Sequence, residues 1–312
     1  MKIQLHAQDL ISIGDLNPQE IRVLLDRSIE LKTHEKGVQG HPFSGKIIAL
    51  LFEKPSLRTR IAFEVAMHRI GGYSIYLGQQ EAALGIREPI RDLGLGLSRW
   101  VDAIVCRTFG NSGLEELANA STVPVINALS DAEHPCQALT DLLTILEHLG
   151  RLEGVRIAFV GDGNNVASSL ALGAASVGAH LNIASPRGYE LPSRIVSASK
   201  KLGETTGSKI TLMQNPEEAV NGAEVVYTDV WTSMGQEVDQ NARRLAFTGY
   251  QVNAALLEKA ANNVIFMHDM PAHYGEEVPA GFLEEPHSVA YDQAENKPYV
   301  VQAVLEALLT PF

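Results

Sequence analysis

The chain has 312 residues, enough for two domains with a core each, and its 45% hydrophobic and 20% charged content is that of a globular protein. A net charge of -12 argues against a nucleic-acid partner or an anionic membrane surface. No apolar run reaches membrane-spanning length, the first ten residues lack a signal-peptide core, and the two cysteines, Cys106 and Cys136, make neither a disulfide framework nor a Cys-x-x-Cys pair.

These features predict a cytoplasmic protein with no membrane partner. Residues 1–16 read as an irregular lead-in. Asn17-Pro18-Gln19-Glu20 opens a helix: Asn caps, Pro suits the first position, and Glu three after the cap completes a capping box. Ile21, Leu24, Leu25, Ile29 and Leu31 then line one face. A buried strand is expected over 46–52. It is followed by Ser56-Leu57-Arg58-Thr59-Arg60 and a helix over 61–70 with apolar positions 61, 65, 66 and 70. A hydroxyl-and-guanidinium cluster where a strand ends and a helix begins suits an anion, because free backbone N–H groups and the helix dipole favour negative charge there. Arginine adds a planar fork matched to phosphate oxygens. The Walker spacing is absent.

Further strands are expected over 73–77, 102–106 and 123–127, with helices between them. That alternation predicts a parallel sheet covered on both faces, with ligands at the C-terminal strand ends. Arg107 follows the third of these strands. His134-Pro-Cys-Gln137 follows the fourth and opens a helix over 136–148. The segment 81–89 reads as a loop long enough to be mobile.

Gly150-Arg-Leu-Glu-Gly154 reads as a linker, which places a domain boundary near 150, with domains 1–149 and 150–292. A strand over 155–160, the turn Gly161-Asp-Gly-Asn-Asn165 and a small-residue helix over 166–178 are similar to the start of a dinucleotide fold. The third fingerprint glycine is missing, however, and the next strand, 180–184, ends in Ser185-Pro-Arg187 rather than a ribose-binding acid. Strands over 209–213, 224–228 and 263–267 complete a second parallel sheet. Two of their ends carry polar clusters, Asp229-Val-Trp-Thr-Ser233-Met234-Gly235 and His268-Asp269-Met270-Pro271. Helix Val300–Leu309 closes the chain, and 293–312 is expected to pack back on the first domain.

Taken together, these motifs resemble those of the aspartate/ornithine carbamoyltransferase family, over nearly the whole length. Ser56-Leu-Arg-Thr-Arg60 is similar to its S-T-R-T-R motif, His134-Pro-Cys-Gln137 to H-P-x-Q, and Asp229 with Ser233-Met234-Gly235 to the D-x-x-x-S-M-G of the ornithine branch. The resemblance implies an α/β fold of two domains, each a parallel sheet flanked by helices, joined by interdomain helices. It implies a transferase that moves the carbamoyl group of carbamoyl phosphate to ornithine, giving citrulline, in arginine metabolism. It further implies a homotrimer or a multiple of trimers, and no metal or organic cofactor.

The implied carbamoyl-phosphate set is Ser56, Leu57, Arg58, Thr59, Arg107, His134, Gln137 and Lys297. The implied ornithine set is Asn165, Asp229, Ser233, Met234, Asp269 and Met270. The catalytic residues would be Arg58, Arg107, His134, Asp229 and Asp269. Three positions depart from the family pattern. H-C-L-P is His268-Asp-Met-Pro271, A-E-N-R is Ala294-Glu-Asn-Lys297, and Ala83 stands where many relatives carry Gln or His. Asp269 puts a second carboxylate near Asp229, which either shares a proton, recruits a more cationic ligand or acts as the base for the amine. A different amine acceptor, or little turnover, is the alternative these departures leave open.

Overall fold

The computed structural model describes residues 5–33, 43–81 and 83–310. Met1–Gln4, Ala82, Pro311 and Phe312 lie outside them, and so do the parts of the N-terminal, 81–89 and 293–312 readings that fall there. The chain forms two compact units. One comprises the part up to Leu143 with the part from Glu295, and the other is Thr144–Ala294.

The first unit holds a four-stranded parallel sheet in the order β2-β1-β3-β4, with β1 Ile47–Phe52, β2 Tyr73–Leu77, β3 Ala103–Arg107 and β4 Val125–Leu129. The central strands β1 and β3 are almost wholly buried apolar residues, as a sheet covered on both faces requires. β4 starts two residues later than the apolar run suggested. Pro124 has no N–H to give a ladder, and the first strand donor is Val125, whose N–H goes to Asp9.

Three local expectations need correction. The lead-in is partly ordered: Leu10 makes a parallel bridge to Ile126, and Ser12 caps a short 3-10 turn, Ile13–Asp15, whose Ile13 is fully buried. The helix after β1 is Leu57–Arg69, so Ser56–Arg60 forms its cap and first turn. Its buried stripe is Thr59, Ala62, Phe63, Ala66 and Met67, while Ile61 joins Leu57 on the exposed side. Starting the helix four residues earlier does not change which face is which. The expected apolar positions simply omitted Phe63 and Met67, whose bulk decides the facing.

The last helix also begins earlier, running Ala290–Leu309 through Pro298. The helix is expected from the sequence only from Val300, yet polar side chains ahead of it are buried with partners. Lys297 donates to Gln137 and Asn296 accepts from Lys32.

The second unit holds a five-stranded parallel sheet in the order β7-β6-β5-β8-β9: β5 Arg156–Val160, β6 His180–Ala184, β7 Ile210–Met213, β8 Val225–Tyr227 and β9 Ile265–Met267. The glycine-rich turn after β5 leads into helix Asn165–Ser176. Gly163 is required there by packing: a Cβ would lie 2.4 Å from the backbone of Glu190–Leu191, and its N–H donates to Tyr189 O at 2.8 Å. A crossing chain segment, rather than a pyrophosphate, explains that glycine.

In each sheet the strand order reverses once. Successive strands run β1 to β2 one way and β3 to β4 the other, so the first switch point lies between β1 and β3. In the second sheet it lies between β5 and β8. Ligands of such sheets bind outside the strand ends at these points.

Candidate active site

At the first switch point, Ser56 caps the helix after β1, its Oγ accepting from Thr59 N–H at 3.3 Å. Thr59 is buried, Arg58 is half-buried and Leu57 is exposed. The N–H groups of this first turn have no carbonyl partner inside the helix, which makes the turn a donor cradle. Arg60 is turned to other work: it donates to Glu64 at 2.8 Å and stacks 3.8 Å above the Tyr76 ring. Arg107 ends β3, in register with Phe52, and is buried.

His134 immediately precedes helix Pro135–Leu149 and is buried, with the Arg107 and Lys297 cations close enough to act on it. Burial first, and those two charges second, hold its pKa well below the ordinary 6.5. The imidazole is therefore neutral at neutral pH. Gln137 accepts from Lys297 Nζ at 2.7 Å and donates its amide to Asp141 at 2.8 Å, which fixes the amide orientation. Two predicted residues, Gln137 and Lys297, are thus in direct contact. Cys136, next to Gln137 in sequence, is no nucleophile, since burial pushes its thiol up to about 12.

The sequence reading missed two residues here. Lys54 is buried, pairs with Asp131 at 2.5 Å and lies 4.4 Å over the Phe109 ring. Glu53 accepts from Leu84 N–H at 2.7 Å and from the Thr108 hydroxyl, and donates its own N–H to Arg107 O. It therefore ties Leu84, within the 81–89 segment that reads as long enough to be mobile, to the end of β3.

The second switch point is acidic. Asp229 follows β8 through Thr228, whose hydroxyl donates to Val160 O at the end of β5. Asp229 is buried, accepts from Asn164 Nδ2 at 2.7 Å and Val230 N–H at 2.7 Å, and lies with a carboxylate oxygen within 4.8 Å of one of Asp269. Burial first, and the neighbouring Asp269 charge second, push its pKa well above 3.8. Two carboxyl groups this close repel when both are ionised, which favours the protonated form of Asp229.

Asn164, not its neighbour, makes that contact. It is the helix cap, its Oδ1 accepting from Val166 and Ala167 N–H at 3.0 Å, which frees its amide for Asp229. Asn165 is the first helical residue, half-buried, with its carbonyl 3.0 Å from Val166 N. A cap assignment from the Gly-Asp-Gly-Asn run would have found Asn164.

Ser233 sits in a turn closed by Gln236 N–H to Ser233 O, with its own N–H donated to the Gln236 side chain. Met234 beside it is exposed. Arg243, also missed, donates from Nη1 to Asp162 at 2.7 Å and to Trp231 O at 2.8 Å. That one buried guanidinium clamps the 161–165 turn to the 229–235 loop.

On the 268–271 loop, His268 Nδ1 accepts from Met270 N–H at 2.9 Å, so the ring proton sits on Nε2 and goes to Glu277 at 3.2 Å. This bond holds Met270 at a left-handed φ of 54°, unusual for a side-chain-bearing residue. Asp229, His268 and Asp269 offer ligand atoms within 4.8 Å of one another. Both His268 ring nitrogens are nevertheless taken, which leaves only the carboxyl pair.

Sequence comparison identifies the relatives of this arrangement. The family described as "Aspartate/ornithine carbamoyltransferase, carbamoyl-P binding domain" matches residues 8–147, and its "Asp/Orn binding domain" partner matches residues 153–308. The chain is 49% identical to the ornithine carbamoyltransferase of Acidothermus cellulolyticus, covering 95% of this chain and 94% of that one. It is 45% identical to that of Anoxybacillus flavithermus over 98% of both chains. Among solved structures, the ornithine carbamoyltransferase of Pyrococcus furiosus superposes with a TM-score of 0.95 at 42% identity, covering 98% of each chain.

Proposed function

This chain belongs to the aspartate/ornithine carbamoyltransferase family, and we propose that it carbamoylates L-ornithine from carbamoyl phosphate, releasing citrulline and phosphate. The observation that carries this reading is the presence, one in each unit, of two switch-point sites of opposite character, one cationic around a neutral His134 and one built on Asp229 with Asp269 beside it.

In this reading Ser56, Leu57 N–H, Arg58 and Thr59 hold the phosphate. Arg107, His134 and Gln137 orient the carbamoyl group. A neutral imidazole and a guanidinium stabilise the oxyanion that develops on its carbonyl as the tetrahedral transition state forms. Lys297 acts through Gln137. Asn165, Ser233 and Met234 position the acceptor, and Asp229 with Asp269 meets its ammonium charge. The deprotonated terminal amine attacks the carbonyl carbon and phosphate leaves. Orientation and electrostatics supply the acceleration, with no covalent enzyme intermediate.

The physiological setting we propose is arginine metabolism in the cytoplasm, a compartment consistent with two buried free thiols. A homotrimer is the proposed assembly. What supports it is the apolar surface of the first unit: Leu57, Ile61, Tyr73 and Ile75 are exposed, the last two on β2, an edge strand.

The test is citrulline formation from carbamoyl phosphate and L-ornithine, from about pH 6 to 10, beside an Asp269→Cys variant. Robust activity in the parent is expected, with a pH optimum that shifts in the variant because the carboxyl pair is gone. A silent parent that is rescued by Asp269→Cys would overturn the ornithine reading in favour of another amine acceptor.

A further inference from the structure

The segment just after the 268–271 loop carries a second polar cluster that carbamoyl transfer does not use. His273 O accepts from Glu276 N–H at 2.9 Å, closing a four-residue turn with Gly275 at a φ of 91° in its third position. The turn sets His273 and Glu276 side by side, with Nδ1 and Oε2 4.0 Å apart. Glu277 follows. One ligand atom from each of the three residues lies within 4.8 Å of the other two.

Each carboxylate has one oxygen bonded and one unused, and the imidazole presents an unused nitrogen. Glu276 Oε1 accepts from Arg244 at 2.6 Å and 2.9 Å, while Oε2 is buried with no hydrogen-bond partner. Glu277 Oε1 accepts from His268 Nε2 and from His273 N–H at 2.5 Å, while Oε2 is likewise buried and unpartnered. The Glu277 side chain is fully buried. His273 Nδ1 is the third buried atom without a partner. A buried polar atom left unsatisfied is costly, and two carboxylate oxygens and one imidazole nitrogen within five consecutive residues call for a common partner.

We propose that His273, Glu276 and Glu277 form a binding site for a divalent transition-metal ion, with Zn2+ as its probe. One imidazole nitrogen and two carboxylate oxygens are a donor set that such ions accept, with water completing the shell. Ligands about 2.1 Å from a tetrahedral ion stand about 3.4 Å apart, so closing onto the metal takes side-chain movements of an ångström or so. Two carboxylates against the single Arg244 leave a net negative site. The bonds already made by Glu276 Oε1 and Glu277 Oε1 pre-orient the free oxygens, the role that outer-shell partners play around metals. His268 can take no part, since both its nitrogens are occupied. The ion would brace the turn through Glu277 and His268. It does no chemistry in carbamoyl transfer, and this inference stands or falls separately from that reading.

The test is Zn2+ titration by calorimetry on the chelator-treated full chain, next to His273→Ala and Glu276→Gln, with melting curves for all three. His273 is part-exposed and Glu276→Gln keeps an acceptor for Arg244, so both variants should melt like the parent without metal. The parent should bind one ion that each variant binds at least about tenfold more weakly, and Zn2+ should raise its melting temperature more than theirs. Co2+ should give a visible d–d absorption band in the parent that His273→Ala removes. Equal Zn2+ affinity in all three proteins, or no binding to the parent, would overturn the site and leave water as the partner of these atoms.

Discussion

The two switch points occupy the same topological position and carry opposite charge. After β1 and β3 stand Arg58, Arg107 and, from the last helix, Lys297, around a histidine that burial and two cations keep neutral. After β5 and β8 stand Asp229 and Asp269, with burial and each other's charge raising Asp229. The fold supplies only a place where strand ends diverge and backbone N–H groups are free. What binds there is decided by which ionisable side chains the loops deliver, and by what burial does to each. Burial favours the neutral form of both kinds of group, lowering the histidine and raising the carboxyl.

The largest expected effect breaks the first site alone. Arg107→Gln should lower kcat/KM for carbamoyl phosphate by about a thousandfold, because it removes a charged donor aimed at the developing oxyanion. Steady-state kinetics should show little change in the apparent affinity for ornithine. An equal loss for both substrates would mean that the two sites are not separable in this way.

Asp229→Asn is the matching break in the second site. We expect kcat/KM for ornithine to fall about a hundredfold, with carbamoyl-phosphate binding unchanged by calorimetry. Stability should move the other way. A carboxyl whose folded pKa is raised above 3.8 contributes stability fully present below that value and lost as pH rises through its raised folded pKa. The Asn variant has no such loss, so at pH 7 it should melt no lower than the parent.

How much of this was visible in the sequence differs between the sites for a physical reason. Ser56–Arg60, Arg107, His134 and Asp229 each follow an apolar strand run, and a parallel sheet sends all such ends to one edge, so local pattern located them. Arg243 was missed because its role depends on a contact across 81 residues of sequence, which no local period encodes; for Asn164 the cap position was legible locally, but its contact with Asp229, across 65 residues, was not. Lys54 was missed because its burial against Asp131 and Phe109 rests on partners 77 and 55 residues away in sequence. The early start of the last helix was hidden by Gln293, Asn296 and Lys297, polar residues buried because each finds a partner.

Arg243 sharpens the comparison, since it supports the second site without being an acidic group. Arg243→Met leaves Asp162 buried without its cation and should cost about 3–5 kcal/mol of stability. With the clamp on Trp231 O gone, KM for ornithine should rise about tenfold while carbamoyl-phosphate affinity holds. Adding Asp162→Asn should recover most of the stability and none of the KM, because the stranded charge is removed but the loops stay untied. Recovery of both would reduce Arg243 to a charge partner.

The smallest effect concerns the sign of the pH dependence at His134. Its folded pKa lies below the ordinary 6.5, so the unfolded chain binds a proton that the folded chain refuses. Stability from this group is therefore fully present above pH 6.5 and is lost as pH falls toward the lowered folded value, at up to about 1.4 kcal/mol per pH unit. His134→Gln removes that titration. Denaturant melts of the parent and the variant at pH 7.5 and 5.5 should show the parent losing about 1 kcal/mol more than the variant across the interval. Asp229 works against this trend in the parent, since its raised pKa favours the folded state toward acid. For that reason the measurement is the difference between the two proteins rather than the slope of either. A variant that loses as much as the parent would mean that the buried imidazole takes up its proton in place, and the neutral histidine at the cationic site would have to be abandoned.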